Sequence, residues 1–306
     1  AARPLNFAPG TMFSYSNSGY YLLGLVIEAS SGKDYYEYVH KHVFEPLGMT
    51  HTYSGDYIEI IPGRARGYAL AKSGFTNAPP WHYLVPFAAG SLFSTAGDIV
   101  KYRRGVFHSN SISPAVRDTI LQTSTLAGGA ANTYSAGGLV LSTFEGRDKI
   151  SHAGDIWGYA SNPAYYPAQD LTIVLMSNRQ LDAPALSSVE AKIARIVFDV
   201  PQPRVDSQTL GDDELARYAG DFGLSPYLVG SDTFGFVARE GTLHLRFGGV
   251  GAEGPMIPLL AQGGGLFRAS FDDEWTFEFQ PATGNERATR LVCRYRDGTF
   301  YAARKN

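Results

Sequence analysis

A polar turn at residues 13–17 leads directly into an apolar helical pattern, and this junction constrains the fold of the 306-residue chain more than any other segment. Tyr15 and Asn17 lie on the turn, two residues apart. Ser18 is the predicted N-cap of the helix, because a serine hydroxyl accepts a hydrogen bond from the backbone N–H groups of a first helical turn. The apolar spacing runs to about residue 30, and Gly32 is predicted to end the helix. Tyr15 and Asn17 are therefore expected at a helix N-terminus.

A histidine motif, His152-Ala153-Gly154, follows much later in the chain. Together with Tyr15-Ser16-Asn17 it resembles two of the three signature elements of the serine β-lactamase and penicillin-binding protein superfamily. The resembling branch includes class C β-lactamases, D-alanyl-D-alanine carboxypeptidases, D-aminopeptidases and carboxylesterases. The resemblance covers about residues 5–200 and extends to the segments 46–49, 90–98 and 166–167. A histidine in the third element is more usual among the peptidases and esterases, so strong β-lactamase activity is not expected.

The resemblance implies an α/β (α+β) fold, in which a β-lactamase-like antiparallel sheet is flanked by helices and accompanied by a helical lobe. We assign residues 1–200 to this domain. Two prolines mark a linker at 201–210. Residues 211–306 are predicted to form a C-terminal antiparallel β-barrel or sandwich, because their strand-like runs are short and separated by glycine. The pattern Leu215-x-x-Tyr218-x-Gly220 resembles the lipocalin-like domain that is appended to some of these peptidases.

Local patterns predict the remaining elements. Helices are predicted at 34–43, at 96–107, from 113 onward, at 183–198 and at 212–218. Strands are predicted in the first domain at 134–142, 149–153, 158–166 and 171–177. In the second domain they are predicted at 234–238, 242–247, 266–271, 275–280, 289–294 and 299–303.

The resemblance also implies a two-step acyl-enzyme reaction on an amide or an ester. A serine hydroxyl is a weak nucleophile until a base takes its proton. A lysine ammonium near the Tyr15 phenol would favour the phenolate and make Tyr15 that base. Asn17 would bind the lysine and the substrate, and His152 would contact the substrate from the third element. Gly154 would leave room for the substrate, and the backbone N–H of Asp155 would be one of two oxyanion donors.

Two aromatic residues, Trp157 and Tyr159, follow the histidine motif on either side of Gly158. We interpret them either as core residues or as walls of the substrate pocket, and the sequence leaves both readings open.

The nucleophile element, Ser-x-x-Lys, does not occur before Tyr15 in this sequence. Ser30-Ser31-Gly32-Lys33 has this spelling, but at the predicted C-terminus of a helix, whereas the element belongs at a helix N-terminus. We therefore expect an N-terminal segment or a second chain to carry the serine and lysine. The present chain is expected to be the larger part of a split or truncated enzyme, and incomplete as a catalyst by itself.

Composition argues against several other classes of protein. Lys+Arg 26 against Asp+Glu 29 gives a net charge of −3 without a basic stripe, so a nucleic-acid partner is not expected. No uninterrupted apolar run is long enough to span a membrane. The single Cys293 cannot form an internal disulfide. His40 and His42 would point to different faces of a helix, so no metal is expected, and the resemblance implies no cofactor. It favours a periplasmic or secreted location, and a cytoplasmic one stays open.

Two functions of different kinds fit the sequence. The first is a serine hydrolase of the penicillin-recognising type that cleaves an amide bond in small peptides, D-residue peptides among them. A carboxylesterase or weak β-lactamase of the same fold is its alternative, with a small ester or β-lactam as substrate. The second is a non-catalytic protein that binds peptides or peptidoglycan fragments. A segment with Ser-x-x-Lys upstream in the gene, or in a copurifying chain, would favour the hydrolase.

Overall fold

The fold is given by a computed structural model, which describes residues 5, 7–11, 13–55, 60–71, 74–79, 82–108, 111–125, 131–179, 185–203, 205, 207–228, 231–281, 286–295 and 298–305. Contacts divide the chain into two compact units. The sheet unit comprises Ser16–Ser124 and Tyr134–Asp182. The barrel unit comprises Ala1–Tyr15, Thr125–Thr133 and Ala183–Asn306.

The α-helices of the described ranges are α1 (Asn17–Ser31), α2 (Tyr35–Val39), α3 (Glu45–Leu47), α4 (Ala96–Phe107), α5 (Pro114–Leu121), α6 (Leu186–Val197) and α7 (Asp212–Tyr218). A π-helical turn, His40–Phe44, joins α2 to α3, so the predicted helix at 34–43 continues further than its apolar pattern indicated. Short 3-10 turns lie at Phe87–Ala89 and Pro167–Gln169.

The strands of the first two-thirds of the chain are β1 (Tyr53–Ser54), β2 (Tyr68–Ala71), β3 (Gly74–Asn77), β4 (Leu92–Phe93), β5 (Thr123–Thr125), β6 (Ala131–Ser135), β7 (Val140–Phe144), β8 (Arg147–Ser151), β9 (Gly154–Ile156), β10 (Tyr159–Tyr166) and β11 (Leu171–Ser177). The later strands are β12 (Gly220–Leu228), β13 (Ser231–Arg239), β14 (Thr242–Phe247), β15 (Ile257–Gly263), β16 (Leu266–Ala269), β17 (Asp272–Gln280), β18 (Arg290–Tyr295) and β19 (Gly298–Arg304).

The sheet unit is built on a seven-stranded sheet in the order β11-β10-β8-β7-β6-β5, with β9 also paired to β10. The pairs β10–β11, β10–β8, β10–β9, β8–β7 and β7–β6 are antiparallel. One row of paired residues crosses four of these strands and consists of Tyr134, Val140, Ser151 and Ala164. This register places the end of β8, and with it the histidine motif, in the same row as the Tyr134 backbone.

The helical lobe of the sheet unit packs around the ring of Phe87. The rings of Tyr21, Tyr35 and Tyr36 have their centroids 4.9, 5.0 and 5.9 Å from that ring, within the range of favourable aromatic pairs. Gly24 on α1 is buried against the same ring, and a Cβ there would lie 2.5 Å from Phe87 Cε1. This cluster holds α1, whose first residue belongs to the Tyr-Ser-Asn element, against α2 and the Phe87–Ala89 turn.

The barrel unit is a closed antiparallel barrel of β12 to β19, joined in sequence order. Its interior is a packed aromatic core in which Phe222, Phe236 and Phe279 are fully buried and lie within 5.6 Å of one another. Tyr218 of α7 packs on Phe279, with ring centroids 5.1 Å apart. Side chains fill the interior of this eight-stranded barrel, as is usual for barrels of this size.

Helix α6 binds the start of β17 through three consecutive acidic residues. Ser188 Oγ donates a 2.5 Å hydrogen bond to Asp272, which is 1% exposed. Lys192 Nζ lies 2.9 Å from Asp273 Oδ1, and Arg195 forms a bidentate ion pair with Glu274. The helical partners are spaced by four and then three residues, so they share one face of α6.

The predicted α+β class is confirmed, with an antiparallel sheet, accompanying helices and a separate C-terminal β-barrel. Two details differ. The predicted strand at 134–142 is the hairpin of β6 and β7, because Gly138, with φ +74°, turns the chain there. The barrel also contains two strands, β12 and β15, that were not predicted, because glycine and proline interrupt their apolar patterns.

The predicted domain limits of 1–200 and 211–306 stay a prediction. Residues 204 and 206 of the predicted linker lie outside the described residues, as do 183 and 184 of the predicted helix at 183–198. None of the helices in the described ranges is both long and apolar enough to cross a membrane.

Candidate active site

The Tyr-Ser-Asn element lies at the start of α1. Ser16, not the predicted Ser18, is the N-cap: its backbone is extended, and its Oγ accepts a 3.2 Å hydrogen bond from the N–H of Gly19. Asn17 is therefore the first helical residue, and Tyr15 precedes the cap. Sequence reasoning placed the cap two residues late because both serines are good caps and only the local geometry distinguishes them.

Tyr15 is 36% exposed, and burial of the rest of its side chain raises the pKa of the phenol. A raised pKa keeps the hydroxyl protonated near neutral pH. A role as base therefore requires a cation that stabilises the phenolate.

The histidine motif interrupts the pairing along one side of β10. Ser151, the last residue of β8, pairs with Ala164, and Gly154, the first residue of β9, pairs with Ser161. His152 and Ala153 lie between these two pairs and belong to neither strand. His152 is half-buried, and its ring centroid lies 6.0 Å from that of Tyr134, at an interplanar angle of 68°. Tyr134 was not predicted as a site residue, because its contact with His152 comes from the pairing of distant strands.

The hairpin of β9 and β10 brings four predicted site residues together. Gly154 and Asp155 lie on β9, Trp157 in the turn and Tyr159 at the start of β10. A Cβ on Gly154 would lie 2.7 Å from Ser161 Oγ, so the missing side chain at 154 allows close packing across the hairpin. The assignments of Tyr15, Asn17, His152 and these four residues to a catalytic site stay a prediction.

A cavity of about 520 Å³ adjoins this hairpin within the sheet unit. The described residues that line it are Ile60, Ile61, Arg64, Ala65, Arg66, Gly67, Asn77, Ala78, Pro79, Trp157 and Tyr159. The two aromatic residues that sequence analysis assigned either to the core or to a pocket wall thus both line this cavity. Its arginines were missed, because the segment at 60–67 lies in a stretch rich in Gly, Pro and aromatic residues that predicts only loop and short strand.

The segment Arg64–Tyr68 is held to the hairpin and to the end of β11 by hydrogen bonds. Tyr159 donates to the carbonyl of Ala65 at 2.8 Å, and Asn178 Nδ2 donates to the carbonyl of Arg66 at 3.0 Å. The backbone N–H of Tyr68 donates to the carbonyl of Asn178 at 2.9 Å. The opposite walls of the cavity are therefore held at a defined separation.

Two glycines allow these walls to touch. Gly158 has φ +86°, and a Cβ on it would lie 2.6 Å from Ala78 Cβ and 2.8 Å from Gly67 Cα. A Cβ on Gly67 would lie 2.7 Å from Tyr159 Cε2. Any side chain at either position would force the walls apart.

The sequence Ser30-Ser31-Gly32-Lys33 occupies the C-terminal end of α1. Gly32 is the left-handed C-cap, with φ +67°, and Lys33 lies beyond it in a 3.1 Å ion pair with Glu37. This location is the reverse of the helix N-terminus that a Ser-x-x-Lys nucleophile element requires. Among the described residues there is also no group of three or more His, Cys, Asp and Glu side chains that is placed to hold a metal ion.

The Beta-lactamase family profile matches residues 1–197, which is more than half of the chain. The chain belongs to the beta-lactamase family. This is a family of serine hydrolases. The relatives of this chain include proteins named penicillin-binding protein and D-aminopeptidase.

Two curated relatives illustrate the match. Penicillin-binding protein 4* of Bacillus subtilis (strain 168) is 26% identical over 262 residues, which make up 79% of this chain and 57% of that protein. D-aminopeptidase of Gluconobacter oxydans (strain 621H) is 24% identical over 200 residues, which make up 65% of this chain and 37% of that protein. The matched regions thus span little more than half of one relative and about a third of the other.

A solved structure agrees with the fold. The penicillin-binding protein homologue from Pyrococcus abyssi is 22% identical, with a TM-score of 0.57 over 96% of this chain and 66% of that one. At this level of identity the similarity establishes the fold of this beta-lactamase family member, and leaves its reaction to the chemistry of the site.

Proposed function

We propose that this protein is a serine hydrolase of the penicillin-recognising type that cleaves an amide bond through an acyl-enzyme. Its serine and lysine are supplied by an N-terminal segment or a second chain outside these 306 residues. The observation that carries the proposal is the interruption between β8 and β9, where His152 and Ala153 separate two strands paired to β10. The hairpin that follows lines a cavity of about 520 Å³, large enough for a small substrate.

A lysine beside Tyr15 fits the proposed role of this phenol as the base. Burial raises the pKa of this phenol, whereas a proton acceptor at neutral pH needs a lowered one. The lysine of a Ser-x-x-Lys element next to Tyr15 would lower the pKa by favouring the phenolate. Asn17, one residue beyond the Ser16 cap, would then hydrogen-bond to this lysine and to the acyl side of the substrate.

The surface of α1 supports a covering segment. Leu22, Leu23 and Val26 are 60%, 54% and 56% exposed, although the helix starts at the proposed catalytic element. Adjacent exposed apolar side chains on one helix are typical of a surface that binds another segment or protein. We propose that the segment carrying Ser-x-x-Lys covers them, which would place its serine near Tyr15.

Cleavage of an amide, with D-residue peptides among the substrates, is supported by the relative named D-aminopeptidase. His152, between β8 and β9, would bind a substrate carbonyl or carboxylate rather than act as the principal base. An ester substrate would contact the same side chains as an amide. An experiment is therefore needed to distinguish amide from ester cleavage.

The test uses the complete enzyme, meaning this chain together with the segment that carries Ser-x-x-Lys. Short D- and L-peptide amides and a nitrophenyl ester are assayed with the wild type and with Tyr15→Phe. We expect Tyr15→Phe to lower turnover about 10²–10⁴-fold, with an unchanged urea midpoint because the ring is retained. His152→Ala is expected to impair the peptides and to spare the small ester, which lacks the contacted group.

Tyr20→Phe is the matched control, because it removes a tyrosine hydroxyl from the first turns of α1 without changing the Tyr-Ser-Asn element. Near-full turnover by Tyr15→Phe would remove Tyr15 as the base. Full activity of the 306-residue chain in the absence of any Ser-x-x-Lys segment would refute the proposed source of the nucleophile.

A further inference from the structure

We infer that the cavity beside the β9–β10 hairpin is an anion subsite, which selects substrates that carry a carboxylate next to an apolar or aromatic group. This inference rests on the proposed hydrolase function, because it names the class of substrate that the hydrolase would bind. The subsite is formed by Arg64, Arg66 and Trp157, with Tyr159 as the wall between them and β10.

The charge of the cavity carries the first step. Two arginines, Arg64 and Arg66, are among its lining residues, and no acidic residue is among the described ones. Arginine presents a planar set of N–H donors that matches both oxygens of a carboxylate. The described lining also includes Asn77, whose side-chain amide is uncharged. A carboxylate therefore fits the described walls better than an ammonium group does.

The orientation of the first arginine carries the second step. The guanidinium carbon of Arg64 lies 5.5 Å from the centroid of the Phe93 ring, within cation–π distance. The Phe93 ring packs edge-on against the ring of Tyr159, with centroids 5.4 Å apart. Arg64 is thus fixed by a stack that leads back to the hairpin, and a guanidinium fixed in advance loses less entropy when a ligand binds.

The backbone carries the third step. The carbonyls of Ala65 and Arg66 accept hydrogen bonds from Tyr159, which begins β10, and from Asn178, which directly follows β11. The segment that bears the two arginines therefore keeps its position relative to the hairpin. The site is built rather than a chance meeting of surface side chains.

The apolar lining defines the rest of the ligand. Trp157 is 50% exposed at the cavity, and Ile60, Ala78 and Pro79 add aliphatic surface. An indole face binds planar or apolar groups and gains most when the ligand covers it. A ligand with a terminal carboxylate and an aromatic side chain uses both parts of the lining.

The experiment measures binding to the 306-residue chain by titration calorimetry, which does not depend on turnover. The probes are N-succinyl-D-phenylalaninamide and N-succinamoyl-D-phenylalaninamide, which have the same shape and differ only in a carboxylate or a neutral amide. We expect the succinyl probe to bind about ten-fold more tightly or better, as charge-assisted hydrogen bonds allow. Raising the ionic strength should reduce this preference.

Arg66→Gln is the decisive variant, because its exposed side chain makes loss of folding a poor explanation for loss of binding. It is expected to bring the two affinities to within about two-fold of each other. Arg64→Gln should act in the same direction if its urea midpoint is retained. Arg147→Gln is the matched control: Arg147 begins β8, bonds to the carbonyl of Glu145 and is not a lining residue, so the preference should persist.

Equal binding of the two probes, no binding of either at millimolar concentration, or an undiminished preference in Arg66→Gln would overturn the inference. The preference and its dependence on arginine would establish the subsite even if the complete enzyme failed to hydrolyse amides. Hydrolysis without the preference would leave the proposed function standing and remove the subsite.

Discussion

The hydroxyl of Tyr159 donates a 2.8 Å hydrogen bond to the backbone carbonyl of Ala65, across 94 positions of the chain. This bond joins the first residue of β10 to the segment that carries both cavity arginines. Tyr159 also packs on Phe93 and is held in the sheet by β9–β10 pairing. The hydrogen bond therefore ties the width of the cavity to the position of the sheet.

Replacing Tyr159 by Phe should loosen this wall without removing its ring. We expect the free energy of unfolding to fall by about 1 kcal/mol, the usual net value of a hydrogen bond, and binding of the succinyl probe to weaken. Urea unfolding and calorimetry measure the two effects. Tyr301→Phe, at a 61% exposed barrel position, should change neither. Unchanged probe binding in Tyr159→Phe would show that this bond does not set the cavity width.

Gly158 is predicted to tolerate no side chain, for two separable reasons. Its positive φ strains any L-residue, and a Cβ would also collide with Ala78 and Gly67. Gly146 has a similar φ, +74°, but a Cβ there would meet nothing within 4 Å. Gly146→Ala therefore measures backbone strain alone, about 1–2 kcal/mol. Gly158→Ala should cost about 1–3 kcal/mol more, which is the usual cost of overpacking.

Chemical denaturation of the two alanine variants tests this difference. Equal losses of unfolding free energy would mean that the walls separate easily, and the contact between Gly67 and Gly158 would then not define the cavity.

Asp98 makes the stability of the sheet unit depend on pH. It is 1% exposed and accepts hydrogen bonds from Lys101 Nζ, the His51 backbone N–H and Thr52 Oγ1 at 2.8, 2.7 and 3.0 Å. Burial alone would raise the pKa of this carboxyl, but the hydrogen bonds, that of Lys101 foremost, outweigh it and lower the pKa. The ionised form therefore stabilises the fold above the unfolded pKa of about 3.9, and this contribution is lost as the pH falls through the folded pKa.

Asp98→Asn should consequently destabilise the protein by about 2–4 kcal/mol at neutral pH, because it leaves Lys101 and the other donors without their anion. The difference from wild type should shrink below about pH 4, where the carboxyl of the unfolded wild-type chain begins to bind a proton and the stabilising contribution begins to be lost. Urea titrations from neutral to acidic pH measure it. Asp118→Asn, an exposed site on α5, should show no such dependence. A constant difference across this range would contradict the assignment.

Ser188 and Ser187 offer a matched pair for the contact between α6 and β17. Ser188 Oγ donates to the buried Asp272, whereas Ser187 Oγ is buried with no hydrogen-bond partner among the described groups. Ser188→Ala should cost about 1–3 kcal/mol, since it removes the shortest hydrogen bond to a buried carboxylate and leaves Asp272 Oδ1 with only the longer bond from the Glu274 N–H. Ser187→Ala should be neutral or stabilising, because alanine favours the helix and no bond is lost. Thermal or urea unfolding of the whole chain compares them, and equal effects would show that the Asp272 contact contributes little.

Short-range features of the molecule were determined by the sequence alone. Thr95 caps α4, Ser113 caps α5 with Pro114 at its first position, and Gly32 ends α1 as predicted. Each of these depends on groups within four residues of one another, so propensity and spacing suffice. The order of the Tyr-Ser-Asn and histidine elements likewise indicates the beta-lactamase family without any tertiary contact.

Long-range features were decided only by the tertiary structure. The local sequence around Arg64 does not indicate that Arg64 and Trp157 line the same cavity. The two come together only when β9, β10 and the segment before β2 pack, with Gly67 in contact with Gly158. The barrel closes through the pairing of β12 with β19. The glycine and proline residues of β12 do not favour a strand locally, so this long-range pairing determines its conformation. Such contacts join residues far apart in the chain, and their stability comes from packing and pairing rather than from local preference.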